Sequence, residues 1–174
     1  MRCSYPPAVA QRRRLVAALA LLLGACATRP PGDASGSPDA ALPPDPAAGA
    51  EVVLQALAQV GKPYRWGGTD PRAGFDCSGL VVHVYRDALG IRLPRTSSEI
   101  SRRGGRVGSN GLAAGDLVFF NTARRAHSHV GIYIGSRRFV HAPSSGSLVR
   151  VERIDNRYWS QRYDGARRIV TARS

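Results

Sequence analysis

The chain has 174 residues, enough for one ordinary domain with its own core but too few for two domains of typical size. With 43% hydrophobic and 21% charged residues it is not a charge-dominated disordered protein, and 19 glycines exclude a collagen-like repeat. Basic residues outnumber acidic ones by 25 to 12, and the net charge of +13 favours an acidic partner, with nucleic acid among the candidates.

The first 25 residues have the pattern of an export signal. Three arginines at positions 12–14 precede the apolar run from Leu15 to Leu23, which is too short to span a bilayer but fits the hydrophobic part of a signal peptide. The run leads into Gly24-Ala25-Cys26, which resembles the lipobox of bacterial lipoproteins, where cleavage leaves a lipid-bearing cysteine as the first residue. The alternatives are an ordinary signal peptide or a buried N-terminal helix. We expect residues 1–25 to be removed and Cys26 to be acylated.

Residues 26–49 are expected to form a lipid-anchored linker. Six of the twelve prolines lie in this segment, which shows no hydrophobic periodicity. As a flexible coil it would span roughly 25 to 30 Å. Its few charges are mostly acidic, so residues 50–174 retain 20 basic and 9 acidic residues, a net charge of +11.

Export changes the expected partner of this positive charge. A basic protein outside the cytoplasm meets anionic lipid and cell-wall carboxylates, so we expect no nucleic acid partner. The alternative is that the arginines only keep the domain soluble. Ala27 follows Cys26, and the resemblance to lipoproteins of Gram-negative bacteria implies a lipid anchor in the outer membrane, facing the periplasm.

The rest of the chain has two helical patterns followed by several strands. Val52, Val53, Leu54, Leu57 and Val60 predict a helix with one apolar face that ends at Gly61. A second helix is predicted from the N-cap Asp76 to Gly90, and a short one through Ile100. Strands are predicted at 117–120, 130–134, 139–141, 148–151 and 169–171. This order favours an α+β domain with an antiparallel sheet.

Cys77 is the cysteine that remains once Cys3 is removed and Cys26 is acylated. It then has no disulfide partner within the chain, so it is either a buried packing residue or one kept for its reactivity. Its predicted position in the first turn of a helix favours the thiolate and places N–H groups near a developing oxyanion. Cys77 is therefore a candidate nucleophile.

Two histidines, His129 and His141, lie on neighbouring predicted strands. A base and a residue that orients it, both facing a cysteine on a helix, form the papain-like arrangement. The positions are twelve apart, so they share one sheet face only if the hairpin loop has an odd number of residues or the hairpin contains a bulge. Of the other histidines, His83 is expected to be a solvated or a boundary residue, and His127 is expected to lie in a loop.

The chain resembles the NlpC/P60 family of peptidoglycan endopeptidases, in particular its murein endopeptidase lipoproteins. The resemblance covers residues 50–174 and depends on motifs that occur in the family's order: Tyr64-Arg65-Trp66-Gly67-Gly68, Asp76-Cys77-Ser78-Gly79, Leu93-Pro94-Arg95-Thr96-Ser97, Gly115-Asp116-Leu117-Val118-Phe119-Phe120, His129-Val130-Gly131-Ile132-Tyr133 and Phe139-Val140-His141-Ala142. It implies a papain-like fold with N-terminal helices packed on an antiparallel sheet.

The resemblance also implies the chemistry. Cys77 would be the nucleophile, His129 the general base and acid, and His141 the polar residue that holds the imidazole of His129. Tyr64 would stabilise the oxyanion, although it could be only a core aromatic. Asp76 and Ser78 would contact substrate, with a simple N-cap as the alternative for Asp76; Gly67, Gly68 and Gly79 would only shape the backbone.

The expected enzyme is a monomer that cleaves amide bonds in peptidoglycan stem peptides, with no metal and no other cofactor. Two other classes stay open. Cys77, His127, His129 and His141 could instead form a zinc site of a metal-dependent hydrolase. The domain could also be a non-enzymatic lipoprotein that binds the cell wall.

Overall fold

The structure is a computed structural model in which residues 43–170 are described. The expected export signal, Cys26 and the linker up to residue 42 lie outside the described residues, as does Thr171 at the end of the last predicted strand. Among residues 43–170, no helix has both the length and the apolar character that crossing a bilayer requires.

Helix α1, Pro46–Leu57, begins four residues before the domain boundary expected at residue 50. The carboxylate of Asp45 accepts hydrogen bonds from two backbone N–H groups of the first turn, and Pro46 occupies the first helical position, where the missing N–H costs nothing. These two residues explain why the helix starts inside a proline-rich segment.

The predicted apolar face of α1 is wrong in part. Val52 is buried as expected, but Leu54, Leu57 and Val60 are 61, 40 and 43% exposed. The helix instead buries a face that contains Gly49, where an added Cβ would lie 2.4 Å from the carbonyl oxygen of Ala114. This close backbone approach, which hydrophobicity does not report, sets the rotation of the helix.

Helix α2 is confirmed with the predicted limits. It spans Cys77–Leu89, with Asp76 as N-cap and Gly90 as a left-handed C-cap at φ 68°. Helix α3, Ser97–Ile100, is also where it was predicted, and begins with a capping box formed by Thr96 and Glu99.

The α+β class and the antiparallel sheet are confirmed. The main sheet has six strands: β3 Gly105–Val107, β4 Leu117–Phe120, β5 His129–Gly135, β6 Arg138–His141, β7 Arg150–Arg153 and β8 Tyr163–Arg168. They pair in the order β3-β8-β4-β5-β6-β7, and every neighbouring pair is antiparallel. A separate two-stranded ribbon consists of β1 Thr69–Asp70 and β2 Gly74–Phe75.

The last two strands differ from their predicted positions. β7 is displaced by two residues, and β8 ends at Arg168, so the strand predicted at 169–171 is wrong over its described residues. β8 was not recognised because it has little apolar character; it buries Arg168, which is paired with the buried carboxylate of Asp116 through two hydrogen bonds of 2.9 and 2.8 Å. Ile169 and Val170 pack against the core after the strand has ended.

The sheet separates two apolar clusters. Helices α1 and α2 pack on one face, over side chains such as Phe119, Val130 and Ile132. The other face carries an aromatic cluster that includes Phe120, Phe139 and Trp159. Trp159 belongs to helix α4, Arg157–Ser160, a single turn that the sequence analysis missed because four residues carry no periodicity.

Candidate active site

Cys77 is the first residue of α2, and the carboxylate of Asp76 organises the helix end around it. One oxygen of Asp76 accepts from the Gly79 backbone N–H at 2.7 Å and from the Ser78 hydroxyl at 3.1 Å, and the other accepts from the Gly67 N–H at 2.9 Å. Arg95 donates to both oxygens, at 3.0 and 2.5 Å. The N-cap role of Asp76 is confirmed.

Arg95 was not singled out in the sequence analysis, although it lies in one of the quoted motifs. Its guanidinium bridges Asp76 and the hydroxyl of Ser78, the latter at 2.8 Å. Burial alone would raise the pKa of Asp76, but the hydrogen bonds from Arg95 and Gly79 outweigh it and lower that pKa. In this structure the side chains of Asp76 and Ser78 are therefore occupied with each other and with Arg95.

The backbone beside Cys77 depends on glycine. A Cβ added to Gly79 would lie 1.9 Å from the carbonyl oxygen of Gly68, so the first turn of α2 lies directly against the loop before it. Gly67 adopts a left-handed φ of 71°. These positions confirm that the glycines shape the backbone.

A cavity of about 380 Å³ opens beside Cys77. Its lining combines aromatic and cationic side chains with the nucleophile candidate: Tyr64, Trp66, Gly67, Asp76, Cys77, Ser78, Arg95, Thr96, Ser97, Arg125 and Ser128. Trp66 is 85% exposed at this cavity, and Arg125 lies on the loop between β4 and β5. The sequence carries no signal for Arg125, because the conformation of a loop decides which of its side chains reach the site.

Burial raises the pKa of the Cys77 thiol, and backbone hydrogen bonds from Val130 and Ser78 lower it only in part. The expectation that the helix N-terminus would favour the thiolate is therefore outweighed by desolvation. At neutral pH Cys77 is a thiol whose proton must be removed before it attacks. The contact with Val130 places this thiol beside the residue that follows His129.

Tyr64 lines the same cavity and also packs against the main core. Its role in stabilising the oxyanion stays a prediction. Burial raises the pKa of its phenol, as do the nearby charges of Cys77 and Asp76. The hydroxyl therefore stays protonated and available as a hydrogen-bond donor.

His129 and His141 lie together on the sheet face that carries the aromatic cluster. Nε2 of His129 lies 2.9 Å from Nδ1 of His141, and the ring planes are nearly perpendicular. The register shifts between Tyr133 and Gly135, so a bulge follows His129 on the same strand. The prediction that an even spacing needs a bulge or an odd loop is confirmed.

Trp159 contacts both imidazoles, and Gly131 leaves room for the neighbouring ring of Phe139. The indole stacks on His129 with ring centroids 5.4 Å apart and meets His141 edge-on at 4.9 Å. Gly131 lies two residues after His129 on β5, and a Cβ there would lie 2.6 Å from the ring of Phe139. A larger residue at 131 would displace that ring from the cluster.

Both histidines are buried and neutral. Burial, together with the neighbouring imidazole of His141, lowers the pKa of His129 to about 3. Burial also lowers the pKa of His141, although Glu152 opposes this shift. At neutral pH His129 is therefore in the form that accepts a proton.

Glu152 is a further residue that the sequence analysis missed. Its carboxylate accepts hydrogen bonds from the indole N–H of Trp159 and, at 2.5 Å, from Arg150, and it lies 3.6 Å from Nε2 of His141. The contact with His141 and the bonds from Trp159 and Arg150 hold its pKa at about 2 against the effect of burial. If β7 had been predicted at its correct position, the alternation of side chains along the strand would have placed Glu152 near His141.

The remaining histidines lie elsewhere. His83 is buried against Phe75, not solvated as expected. His127 is in a loop, as predicted, with Nδ1 3.0 Å from the carboxylate of Asp164. Within residues 43–170, no group of three or more His, Cys, Asp or Glu side chains is arranged to hold a metal ion, so the four candidate zinc ligands are not brought together.

Comparison with known proteins shows the family to which the chain is similar. The sequence model of the NlpC/P60 family matches residues 61–168. The murein DD-endopeptidase MepH of Escherichia coli K12 is 44% identical over 121 residues, which cover 68% of this chain and 45% of that protein. Murein DD-endopeptidase MepS/Murein LD-carboxypeptidase from the same strain is 40% identical over 108 residues, covering 62% of this chain and 56% of that protein.

The fold comparison agrees. The crystal structure of an NlpC/P60 family protein from Bacillus cereus superposes with a TM-score of 0.66 at 34% identity, over 74% of this chain and 42% of that one. The chain spans about half the length of the curated relatives it matches. A family match over more than half of the sequence, on a domain of the same fold, confirms the resemblance, and the chain belongs to the NlpC/P60 family.

Proposed function

We propose that this domain is a cysteine peptidase that hydrolyses amide bonds in the peptide stems of peptidoglycan or in their cross-links. The observation that carries the proposal is the position of Cys77 at the start of α2, beside the strand on which His129 is bonded to His141. The similarity to MepH and MepS, which are named murein DD-endopeptidases, supports the substrate class.

In the first half of the reaction, Sγ of Cys77 attacks the amide carbonyl carbon while its proton moves to Nδ1 of His129. Nδ1 is the available nitrogen because Nε2 is hydrogen-bonded to His141. The tetrahedral oxyanion accepts hydrogen bonds from the Cys77 backbone N–H and the Tyr64 hydroxyl. His129 then protonates the leaving nitrogen, the C–N bond breaks, and the acyl group stays on Cys77 as a thioester.

In the second half, His129 takes a proton from water while the water oxygen attacks the thioester. Collapse of this intermediate releases the new carboxyl group, and the proton returns to Sγ. Because the buried imidazole is neutral, its Nδ1 can accept a proton in each half of the reaction, which a protonated His129 could not do.

The cationic lining of the cavity supports an acidic substrate. Arg125 and Arg95 lie beside Cys77, and residues 50–174 carry a net charge of +11. Peptidoglycan stems present free carboxylates, which this charge would attract and retain.

The test is digestion of purified sacculi by the full chain carrying Cys26→Ser. We expect soluble muropeptides whose new ends, identified by mass spectrometry, define the cleaved bond. Cys77→Ala should reduce product to background with little change in melting temperature. Iodoacetamide, but not EDTA, should inhibit the chain that keeps Cys77. A folded wild-type chain that binds sacculi without releasing product would favour a wall-binding role, and inhibition by EDTA alone would favour the metal enzyme.

The proposal includes a lipid anchor on Cys26 that holds a monomeric enzyme at the periplasmic face of the outer membrane. The lipobox pattern and Ala27 support it. Cys26→Ser should shift the protein to the soluble fraction on membrane fractionation while activity on free muropeptides is retained. Shortening residues 27–42 should reduce wall turnover in cells without changing that activity, and sedimentation of the Cys26→Ser chain should give a monomer. Unchanged wall turnover after this shortening would contradict the proposal that the linker allows the domain to reach the wall.

A further inference from the structure

A histidine in the orienting position creates an ambiguity that an amide or a carboxylate would not create. The 2.9 Å contact between Nε2 of His129 and Nδ1 of His141 needs one proton, which either ring can supply. If His129 donates, its Nδ1 is bare and can act as a base. If His141 donates, the proton of His129 sits on Nδ1, and the imidazole cannot accept the proton of Cys77.

The two arrangements differ at the far side of His141. In the productive one, Nε2 of His141 carries a proton; in the other, Nε2 is bare. This atom is fully buried, and within the described part of the chain no acceptor lies at hydrogen-bonding distance. The nearest carboxylate oxygen is Oε1 of Glu152, at 3.6 Å.

A carboxylate that can only accept favours a protonated Nε2 and disfavours a bare one. Glu152 is held in this state by two donors that are not histidines, the indole of Trp159 and the guanidinium of Arg150. The charged and titratable groups around His141 are thus Glu152, Arg150 and His129. With its pKa near 2, Glu152 has no proton to offer to Nε2 at neutral pH.

We infer that Glu152 is a positioning residue that selects, through His141, the tautomer of His129 whose Nδ1 is free to accept the proton of Cys77. This inference rests on the proposed function for its catalytic consequence, but not for its structural content. The tautomers exist in the resting protein, and their populations are measurable without any substrate.

The first test uses the unaltered histidines. Nitrogen-15 NMR of the full chain carrying Cys26→Ser should show His129 protonated at Nε2 and His141 also protonated at Nε2. A resting state with the proton on Nδ1 of His129 would overturn the inference whatever the enzyme does. Absence of hydrolase activity would overturn the proposed function instead, so the two failures are distinct.

The second test is Glu152→Gln, which keeps shape but can donate or accept toward His141. We expect a mixture of tautomers at His129 and a loss in kcat of about 10- to 100-fold with little change in KM. Asp155→Asn is the matched control, since it removes an exposed carboxylate that pairs with Arg153 and should leave kcat within about twofold. Lost activity with unchanged tautomers would mean that Glu152 acts only through packing and would refute its role in tautomer selection.

The third test combines substitutions. In a His141→Asn background the orienting group has a carbonyl oxygen that accepts from Nε2 of His129, so no imidazole tautomer has to be selected at position 141. Glu152→Gln should then have no further effect on kcat. A second loss as large as that in the wild-type background would contradict the inference.

Discussion

Replacing Asp76 with serine and with alanine separates its role as a helix cap from its pairing with Arg95. Serine keeps a side-chain oxygen that accepts from the backbone N–H of Gly79 but is too short to reach the guanidinium. Alanine loses the cap as well, and both variants lose the hydrogen bonds from Arg95 and from the Gly67 N–H. Because the two variants differ by one oxygen atom, the difference between them isolates the cap.

The structure gives the expected sizes. Loss of an N-cap costs about 1 kcal/mol. Arg95 makes two hydrogen bonds to the carboxylate, but its side chain is 42% exposed, so solvent screening reduces the pair to about 1 kcal/mol. Asp76→Ser should therefore lower the free energy of unfolding by about 1 kcal/mol and Asp76→Ala by about 2 kcal/mol. For a domain of this size these values correspond to falls in melting temperature of roughly 4 and 8 °C.

The assay pairs urea denaturation with the rate of muropeptide hydrolysis. Because the cap holds the first turn of α2, and with it the N–H of Cys77, we expect Asp76→Ser to retain more activity than Asp76→Ala. Equal stability of the two variants would refute the cap. A serine variant that is as stable as expected but has lost more than about 100-fold in kcat/KM would show that the carboxylate acts on substrate, as the family resemblance implied.

Three further predictions concern the histidine face of the sheet. Since the pKa of His129 falls from about 6.5 in the unfolded chain to about 3 in the folded one, its contribution to stability is complete above pH 6.5 and is lost as the pH falls. In His129→Gln, the slope of the free energy of unfolding against pH should decrease by about 1.4 kcal/mol per pH unit between pH 6 and 4, and an unchanged slope in a series of denaturation curves would contradict the pKa shift. His141→Asn and His141→Gln should retain more kcat than His141→Ala because an amide still orients His129, and wild-type rates for all three would exclude that role. Gly131→Ala should destabilise the domain by about 1 to 3 kcal/mol, since its Cβ would meet the ring of Phe139 at 2.6 Å; thermal melting that matches the wild type would show that the ring moves without cost.

The parts of the fold that were predictable are those with strong local signals. The N-cap Asp76 and the left-handed Gly90 bracket α2, and the apolar run of β4 gives that strand its limits. The rotation of α1 was not predictable, because it depends on how closely Gly49 approaches a distant loop. β8 was missed for a similar reason, since Arg168 is buried by its pairing with Asp116 and not by hydrophobicity.

The residues of the candidate site also fall into two groups, those with a local sequence signal and those without one. Cys77, His129 and His141 could be predicted because the sequence alone shows a reactive side chain at the start of a helix and two more on strands. Arg95, Arg125 and Glu152 join them only through tertiary contacts. Glu152 was further hidden by a two-residue error in the position of β7, which moves a strand residue away from its true neighbour.

The register of the hairpin between β5 and β6 restricts the length of the turn that joins these strands. Ser136 and Arg137 both have positive φ, and together with the register shift at Gly135 they determine which residue of β6 faces each residue of β5. Deleting or inserting one residue in this turn would move every side chain of one strand to the opposite face, so His141 would leave the aromatic face and point toward the helices. The turn lines neither the Cys77 cavity nor the histidine pair, yet its length is as restricted as the identity of the catalytic groups, and its sequence is restricted to residues that tolerate a positive φ.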